Sequence, residues 1–419
     1  MNIKAFLAGL TLAIVGGLAS MPAATADSIR VGVIEPLSGR VAAVGRDALN
    51  SFQFAAELVN SRGGVLGGKK IEVIGLDNAM KAEKTTEQLK KAVDMGLSYI
   101  IQGVGSNHAL NIIKFVGKHN KRNPGKEILF LNHSAVTTAF TNELCSFWHF
   151  RFDANVDMKV AALVTQINRD PSIKKLYMLN QNYAYGKSFQ AAARRLLAKR
   201  APQVKVVGDE LIVPFGKVQD FTPFIAKIKA SGADTILTGN WGADMIRFVK
   251  GAVGSGLDAK FYTIYGGLTS SVGGYGTDGK KVNLKQVTEM HQNHPRLPKE
   301  LVDYSAGYMA KYKDTFYADR QRWLILMLAA AIDKAGTADP IPVARALEGM
   351  SFPGPMGAVQ MRASDHQMQM PLVVSTLTDK APDPIFYKGK NFGVAFKTDG
   401  VAERKDTSLS TTCKMKRPN

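Results

Sequence analysis

Between residues 28 and 270, apolar runs of strand length alternate with amphipathic stretches of helix length. The runs IRVGVI (29–34), IEVIG (71–75), YIIQG (99–103), ILFL (128–131), KLYML (175–179), TILTG (235–239) and FYTIY (261–265) read as strands. Helices are expected around 46–61, 82–95, 107–118, 155–168, 187–200, 218–230 and 241–254. Alternation of this kind predicts an α/β chain, with parallel sheets covered by helices on both faces. The segment HFRFDANVDM (149–158) breaks the rhythm where a first set of units would be complete, and marks a crossing into a second lobe. After residue 270 the pattern changes to a Gly-rich loop (266–280), helices near 298–314 and 320–335, and later strands at PGPMGAVQM and PLVVSTL. From about residue 396 the chain has no clear periodicity, and no internal repeat stands out.

The N-terminus changes the setting of this picture. Lys4, an apolar stretch over residues 5–17 and the small residues of Ala24-Thr25-Ala26 have the form of a cleaved export leader, with the mature chain beginning at Asp27. Removing 26 residues from 419 leaves 393, which suits two domains rather than one core. No later run reaches the roughly 20 apolar residues of a membrane span. The formal charge of +19 becomes +18 without Lys4. In an exported protein this argues against nucleic acid and for a basic surface that attracts anionic solutes or membrane. Cys145 and Cys413, in an oxidising compartment, point to a disulfide rather than a metal site, tying the tail to the middle of the chain.

Candidate chemistry is sparse. GGVLGGKK (63–70) matches G-x-x-x-x-G-K, but Lys70 replaces the required Ser or Thr, and the segment runs from helix to strand instead of strand to helix. It reads as a glycine-rich turn. His291 and His294 have a spacing that could face a metal, but Pro295 and the absence of a nearby partner favour a solvated polar loop. No nucleophile elbow, cofactor motif or metal constellation is present, so there is no positive case for an enzyme.

Position says more. In open parallel sheets, ligands bind beyond the carboxyl ends of the strands. The loops expected there are rich in hydroxyls, amides and aromatics: EPLSGR (35–40), GVGSNHAL (103–110), NHSAVTT (132–138), NQNYAYG (180–186), GNWGAD (239–244) and YGGLTSS (265–271). Ser106 stands where a helix N-cap would, so it either helps to hold a carboxylate or only caps its helix. Tyr185 before Gly186 suits a sharp strand-to-helix turn, with Trp241 in the matching place one unit later. Tyr183 is expected to support the loop.

The stretches IRVGVIEPLSGRVAAVGRDALNSFQFAAELVNSRGGVLGGKKIEV, GVGSNHAL, NYAYGKSF and FTPFIAKIKASGADTILTGNWGADMIRFVKGAVGSGL resemble, in this order, periplasmic solute-binding proteins of ABC importers of the branched-chain amino acid type. The pair Cys145-Ser146 and the late Cys413 resemble one subgroup of these. The resemblance implies the type I periplasmic-binding-protein fold, with two Rossmann-like lobes closing over a small solute. The lobes are expected over 27–151 with about 288–350, and 152–287 with about 351–395, followed by a tail over 396–419. It implies a monomer that docks on a membrane permease and needs no cofactor. The implied ligand set is Ser106, Asn107, Ser134, Ala135, Val136, Tyr185, Trp241 and Tyr265, with Ser106 on the ligand carboxylate.

Three positions depart from the family pattern. Val136 replaces a threonine, Val44 an aromatic, and Tyr265 falls where a glutamate pairs with the ligand's ammonium. Burying an ammonium without a partner costs several kcal/mol, to an order of magnitude. The resemblance implies an amino acid or related carboxylate as the solute; the departures count against a leucine-like one and open the alternatives of an amine-free aromatic or aliphatic carboxylate, or a weakly hydrated cation caged by Trp241, Tyr185 and Tyr265. A periplasmic sensor with the same cleft is the competing role.

Overall fold

The computed structural model describes residues 28–213, 216–314, 318–380 and 393–418 of the chain. The leader expected over residues 1–26 lies outside them. The first sheet consists of β1 (Ile29–Glu35), β2 (Ile71–Asp77), β3 (Tyr99–Gln102), β4 (Leu129–Asn132) and β5 (His149–Arg151), in the order β2-β1-β3-β4-β5. All its pairings are parallel. The second contains β6 (Lys175–Gln181), β7 (Lys205–Ile212), β8 (Thr235–Thr238), β9 (Lys260–Thr263) and β10 (Lys285–Thr288), parallel to one another. A small antiparallel sheet is built from β11 (Ser351–Gly354), β12 (Gly357–Met361) and β13 (Met368–Gln369). Two further strands, β14 (Leu372–Thr378) and β15 (Ala395–Ala402), join the second sheet antiparallel, giving β15-β14-β10-β9-β8-β6-β7.

Central strands such as β3 and β4 are buried at every position, because helices cover both faces; this is why they read as unbroken apolar runs. Helix α1 (Ala42–Ser61) buries Ala48, Phe52, Ala55 and Val59, a stripe at three- and four-residue spacing, and packs against the helix Arg320–Ala335. That helix returns the chain to the first lobe after β10. The first lobe is completed by α2 (Ala82–Asp94) and α3 (Ser106–Arg122). The second carries α4 (Val156–Arg169), α5 (Ala184–Arg200), α6 (Thr222–Ser231) and α7 (Gly242–Gly254).

At the crossing, Arg151 is fully buried and fastens two passages between the lobes. It donates to Gln367 Oε1 at 2.7 Å and to the Thr137 carbonyl at 2.6 Å, and its backbone N–H donates to the His366 carbonyl at 2.9 Å. The final segment, expected to lack periodicity, supplies the edge strand β15 and then runs back to the first lobe. There Cys413 is bonded to Cys145 with 5.7 Å between Cα atoms. The glycine-rich stretch 63–70 is a turn between α1 and β2, closed by a Val65–Lys69 bridge.

Candidate functional site

In each sheet the strand order reverses beside the first strand of the lobe, at β1/β3 and at β6/β8, which opens a crevice beyond the strands' carboxyl ends. On the first lobe this crevice is organised by Glu35, the last residue of β1, which is fully buried. Its carboxylate accepts from the backbone N–H groups of Gly103 (2.7 Å) and Val104 (3.2 Å), and pairs with His133 Nε2 at 2.7 Å. One side chain thus ties together the loops after β1, β3 and β4. Sequence reasoning missed it; the signal was a carboxylate closing an otherwise apolar strand.

The N-cap of α3 is Gly105, at φ 93°, a left-handed conformation that glycine adopts without strain. Ser106 is the first helical residue and makes no capping hydrogen bond, contrary to its expected place as the cap. It is buried and lines the cavity with Ser134 and Val136. Two members of the expected ligand set lie elsewhere. Asn107 is exposed on α3, outside the cavity wall, and Ala135 is buried behind it, bonded through its backbone to Asn132.

The second lobe supplies rings. Tyr183 and Trp241 are the N-cap residues of α5 and α7, so Trp241 is the structural counterpart of Tyr183 and not, as the sequence suggested, of Tyr185. The Trp241 indole N–H donates to the Tyr183 hydroxyl at 2.7 Å, and Tyr183 lines the cavity itself. Burial holds the Tyr183 phenol well above the usual range, so it stays protonated. Tyr185 lies between Tyr183 and Tyr265, each with its ring centroid 5.7 Å away. The turn that aims these rings requires Gly186, where a Cβ would fall 1.7 Å from the Gln181 carbonyl oxygen. Tyr265 bridges the lobes: its hydroxyl donates to the Ser134 carbonyl at 3.1 Å and lies 3.4 Å from Asp153 Oδ2.

Together these walls enclose a cavity of about 70 Å³. At roughly 10–15 Å³ per water this is room for about five, the space of a small organic solute. Asp47, Ser51, Arg320 and Gln321 also line it and were not foreseen, as do His133 and Thr269, which lie in loops expected at the site but were not singled out. Behind Tyr265 lies a buried cluster of four charged side chains. Lys159 is 2.8 Å from Asp153, Arg320 reaches Glu289 at 3.0 Å and its Nε lies 3.5 Å from Asp153. Its formal charges cancel, so it lends rigidity to the wall without imposing a net field. Burial lowers the Lys159 ammonium's pKa, although Asp153 and Glu289 oppose the shift. The ammonium sits 4.8 Å from the centre of the Tyr265 ring.

His291 and His294, expected in a solvated loop, are buried, with ring centroids 5.6 Å apart and His291 Nε2 2.8 Å from Thr398 Oγ1. Among the described residues no group of three or more His, Cys, Asp or Glu is placed to hold a metal. No helix among them is long and apolar enough to cross a membrane.

Known proteins resemble this chain in sequence and fold. The profile of a family described as periplasmic binding protein matches residues 28–382. The Leu/Ile/Val-binding protein homolog 4 of Brucella melitensis is 32% identical over 100% of both chains. The leucine-, isoleucine-, valine-, threonine-, and alanine-binding protein of Pseudomonas aeruginosa is 24% identical, over 82% of this chain and 88% of its own. The crystal structure of the protein of the same description from Brucella ovis, in its closed conformation, superposes with a TM-score of 0.84 at 27% identity. The match covers 94% of this chain and 100% of that one.

Proposed function

The chain belongs to the periplasmic binding protein family, and from the surroundings of Tyr265 we propose that its own solute is a small carboxylate without an amine. It is an extracytoplasmic solute-binding protein of an ABC importer, of the branched-chain amino acid type. Ser106, Ser134 and the N–H groups at the start of α3 take the carboxylate, and Tyr185, Trp241 and Tyr265 enclose the body. The loaded, closed form then docks as a monomer on a permease of the inner membrane.

The observation that carries the amine-free reading is the surrounding of Tyr265. At the position where the family resemblance implies a glutamate for the ammonium, this chain has a phenol whose hydroxyl is turned to Ser134 and Asp153. Its ring already carries the Lys159 ammonium at 4.8 Å. That ring face is therefore already taken, which weakens the cation-cage alternative. The relatives' names favour a second reading, a branched-chain amino acid. In that case Asp47, in the first-lobe wall, is the carboxylate that would meet the ammonium.

A thermal-shift comparison on the exported protein, which begins at Asp27 on this proposal, separates the two. Leucine, isoleucine and valine are set against the carboxylic acids of the same carbon skeleton without the amine. A solute at a hundred times its Kd adds about 2.7 kcal/mol of stability. The amine-free acids should raise the midpoint and the amino acids should not; a shift from the amino acids alone overturns the reading.

A further inference from the structure

We propose that Gln321 and Thr269 form a polar subsite of this cavity that selects a carboxylate bearing a second hydrogen-bonding group, a primary amide foremost, over its aliphatic isostere. The inference rests on the reading of the cavity as the solute site.

Gln321 is the second residue of the helix Arg320–Ala335 and is 7% exposed; Thr269 begins the short helix after β9 and is 4% exposed. Both line the cavity. The Gln321 Oε1 and Thr269 Oγ1 atoms are buried and have no hydrogen-bond partner within the protein. Buried polar atoms are almost always paired, so two orphans around one cavity, one from each lobe, point to a partner that arrives from outside the chain.

The neighbours of Gln321 sharpen this. Arg320 is engaged by Glu289, and Arg322 is held by Asp319 through bonds of 2.6 and 2.8 Å. The flanking guanidinium groups thus have carboxylates beside them, whereas the Oε1 of the amide between them has no partner within the protein. A helix that continues as WLILMLAAAI would pack a leucine at this position at no polar cost.

The two orphans also restrict the partner. Gln321 Oε1 requires a donor, and the Thr269 hydroxyl can donate or accept. A primary amide supplies an N–H for the first and a carbonyl for the second. An isobutyl group of the same shape satisfies neither and leaves both atoms dry and unpaired. A third orphan, His133 Nδ1, lies on the first-lobe wall beside Ser134 and belongs to the carboxylate end.

Four compounds test this without confusing it with the amine question: 4-methylpentanoate and its amide isostere succinamate, and leucine and its amide isostere asparagine. Titration calorimetry on the wild-type protein should show the amide member of the binding pair at least about tenfold tighter than the aliphatic member. Gln321→Leu combined with Thr269→Val should remove or reverse that ratio. If only the amine-bearing pair binds, the amine-free reading fails, while the asparagine-to-leucine ratio still judges the subsite. Equal or tighter binding of the aliphatic member by the wild-type protein overturns the subsite and assigns the orphans to internal water. So does binding of none of the four. The wild-type ratio decides the matter even where the double variant fails to fold.

Discussion

The two walls of the cavity are built on opposite plans. The first-lobe wall combines small side chains, Ser106, Ser134 and Val136, with a few polar ones such as Asp47 and His133, and its loops are fixed in place by the buried carboxylate of Glu35. The second-lobe wall is a run of rings, Tyr183, Trp241, Tyr185 and Tyr265, held among other interactions by ring contacts, the indole-to-phenol hydrogen bond and the bond from Tyr265 to Ser134. The difference separates two tasks. A charged ligand end needs donors at fixed positions, which the backbone supplies best once the loop is pinned. The body needs apolar area of the right outline, which rings supply at little cost in side-chain entropy. Such walls should fail differently when altered: the first by losing its shape, the second by losing contact area.

Glu35→Ala is the strongest challenge to this contrast. It leaves two buried backbone donors and the His133 ring without their acceptor, which costs roughly 3–5 kcal/mol. Urea unfolding should show that loss, and binding should fall with it because the loop leading to Ser106 is released. Glu35→Gln retains an acceptor oxygen and should lose less. A Glu35→Ala variant of unchanged stability and affinity would mean that the first wall needs no internal pin.

The legibility of the molecule in its sequence follows the same division. Strands buried on both faces announce themselves, as YII and LFL do. By contrast, β7 is a half-exposed edge strand carrying Asp209 and Glu210, β10 buries Gln286 within KQVT, and β5 is three residues long. No periodicity marks strands of this kind. The aromatic wall was largely legible, since ring-bearing loops at strand ends are conspicuous. Its pairing was not: Trp241 matches Tyr183 because both cap helices, a register that only backbone geometry fixes. Glu35 escaped notice because its partner His133 is 98 residues away, and Arg320 because its anions lie in other elements.

Acid tests whether the contrast extends to the supports of the two walls. His108 lies on the buried face of α3, with Nδ1 2.9 Å from Thr85 Oγ1 of α2, and His291 bonds Thr398 of β15 in the second sheet. Burial lowers both pKa values, that of His291 to about 3 with help from His294. Each ring is neutral in the folded chain and takes up a proton near pH 6.5 once unfolded. The unfolded state therefore binds more protons below that pH, and stability falls as the pH drops from 6.5 towards 3. For His291 alone the loss between pH 7 and 5 is on the order of 2 kcal/mol. Urea midpoints at the two pH values should differ accordingly, and His291→Gln should flatten the dependence. Independence from pH over this range would contradict the burial of these rings.

Trp241→Ala is expected to have the smallest effect on folding and to isolate the aromatic plan. The helix that Trp241 caps is anchored by Met245, Phe248 and Val249, all fully buried, so α7 should survive loss of the indole and the melting temperature should change little. Affinity should weaken at least roughly tenfold, about 1.4 kcal/mol, because one face of the ligand loses its wall and water enters in its place. Tyr183→Phe separates area from hydrogen bonding: it keeps the ring and deletes the hydroxyl that accepts from the indole N–H. If contact area governs this wall, Tyr183→Phe should cost clearly less affinity than Trp241→Ala in the same calorimetric titration. Equal losses would mean that the second wall, like the first, works by holding a polar group in place.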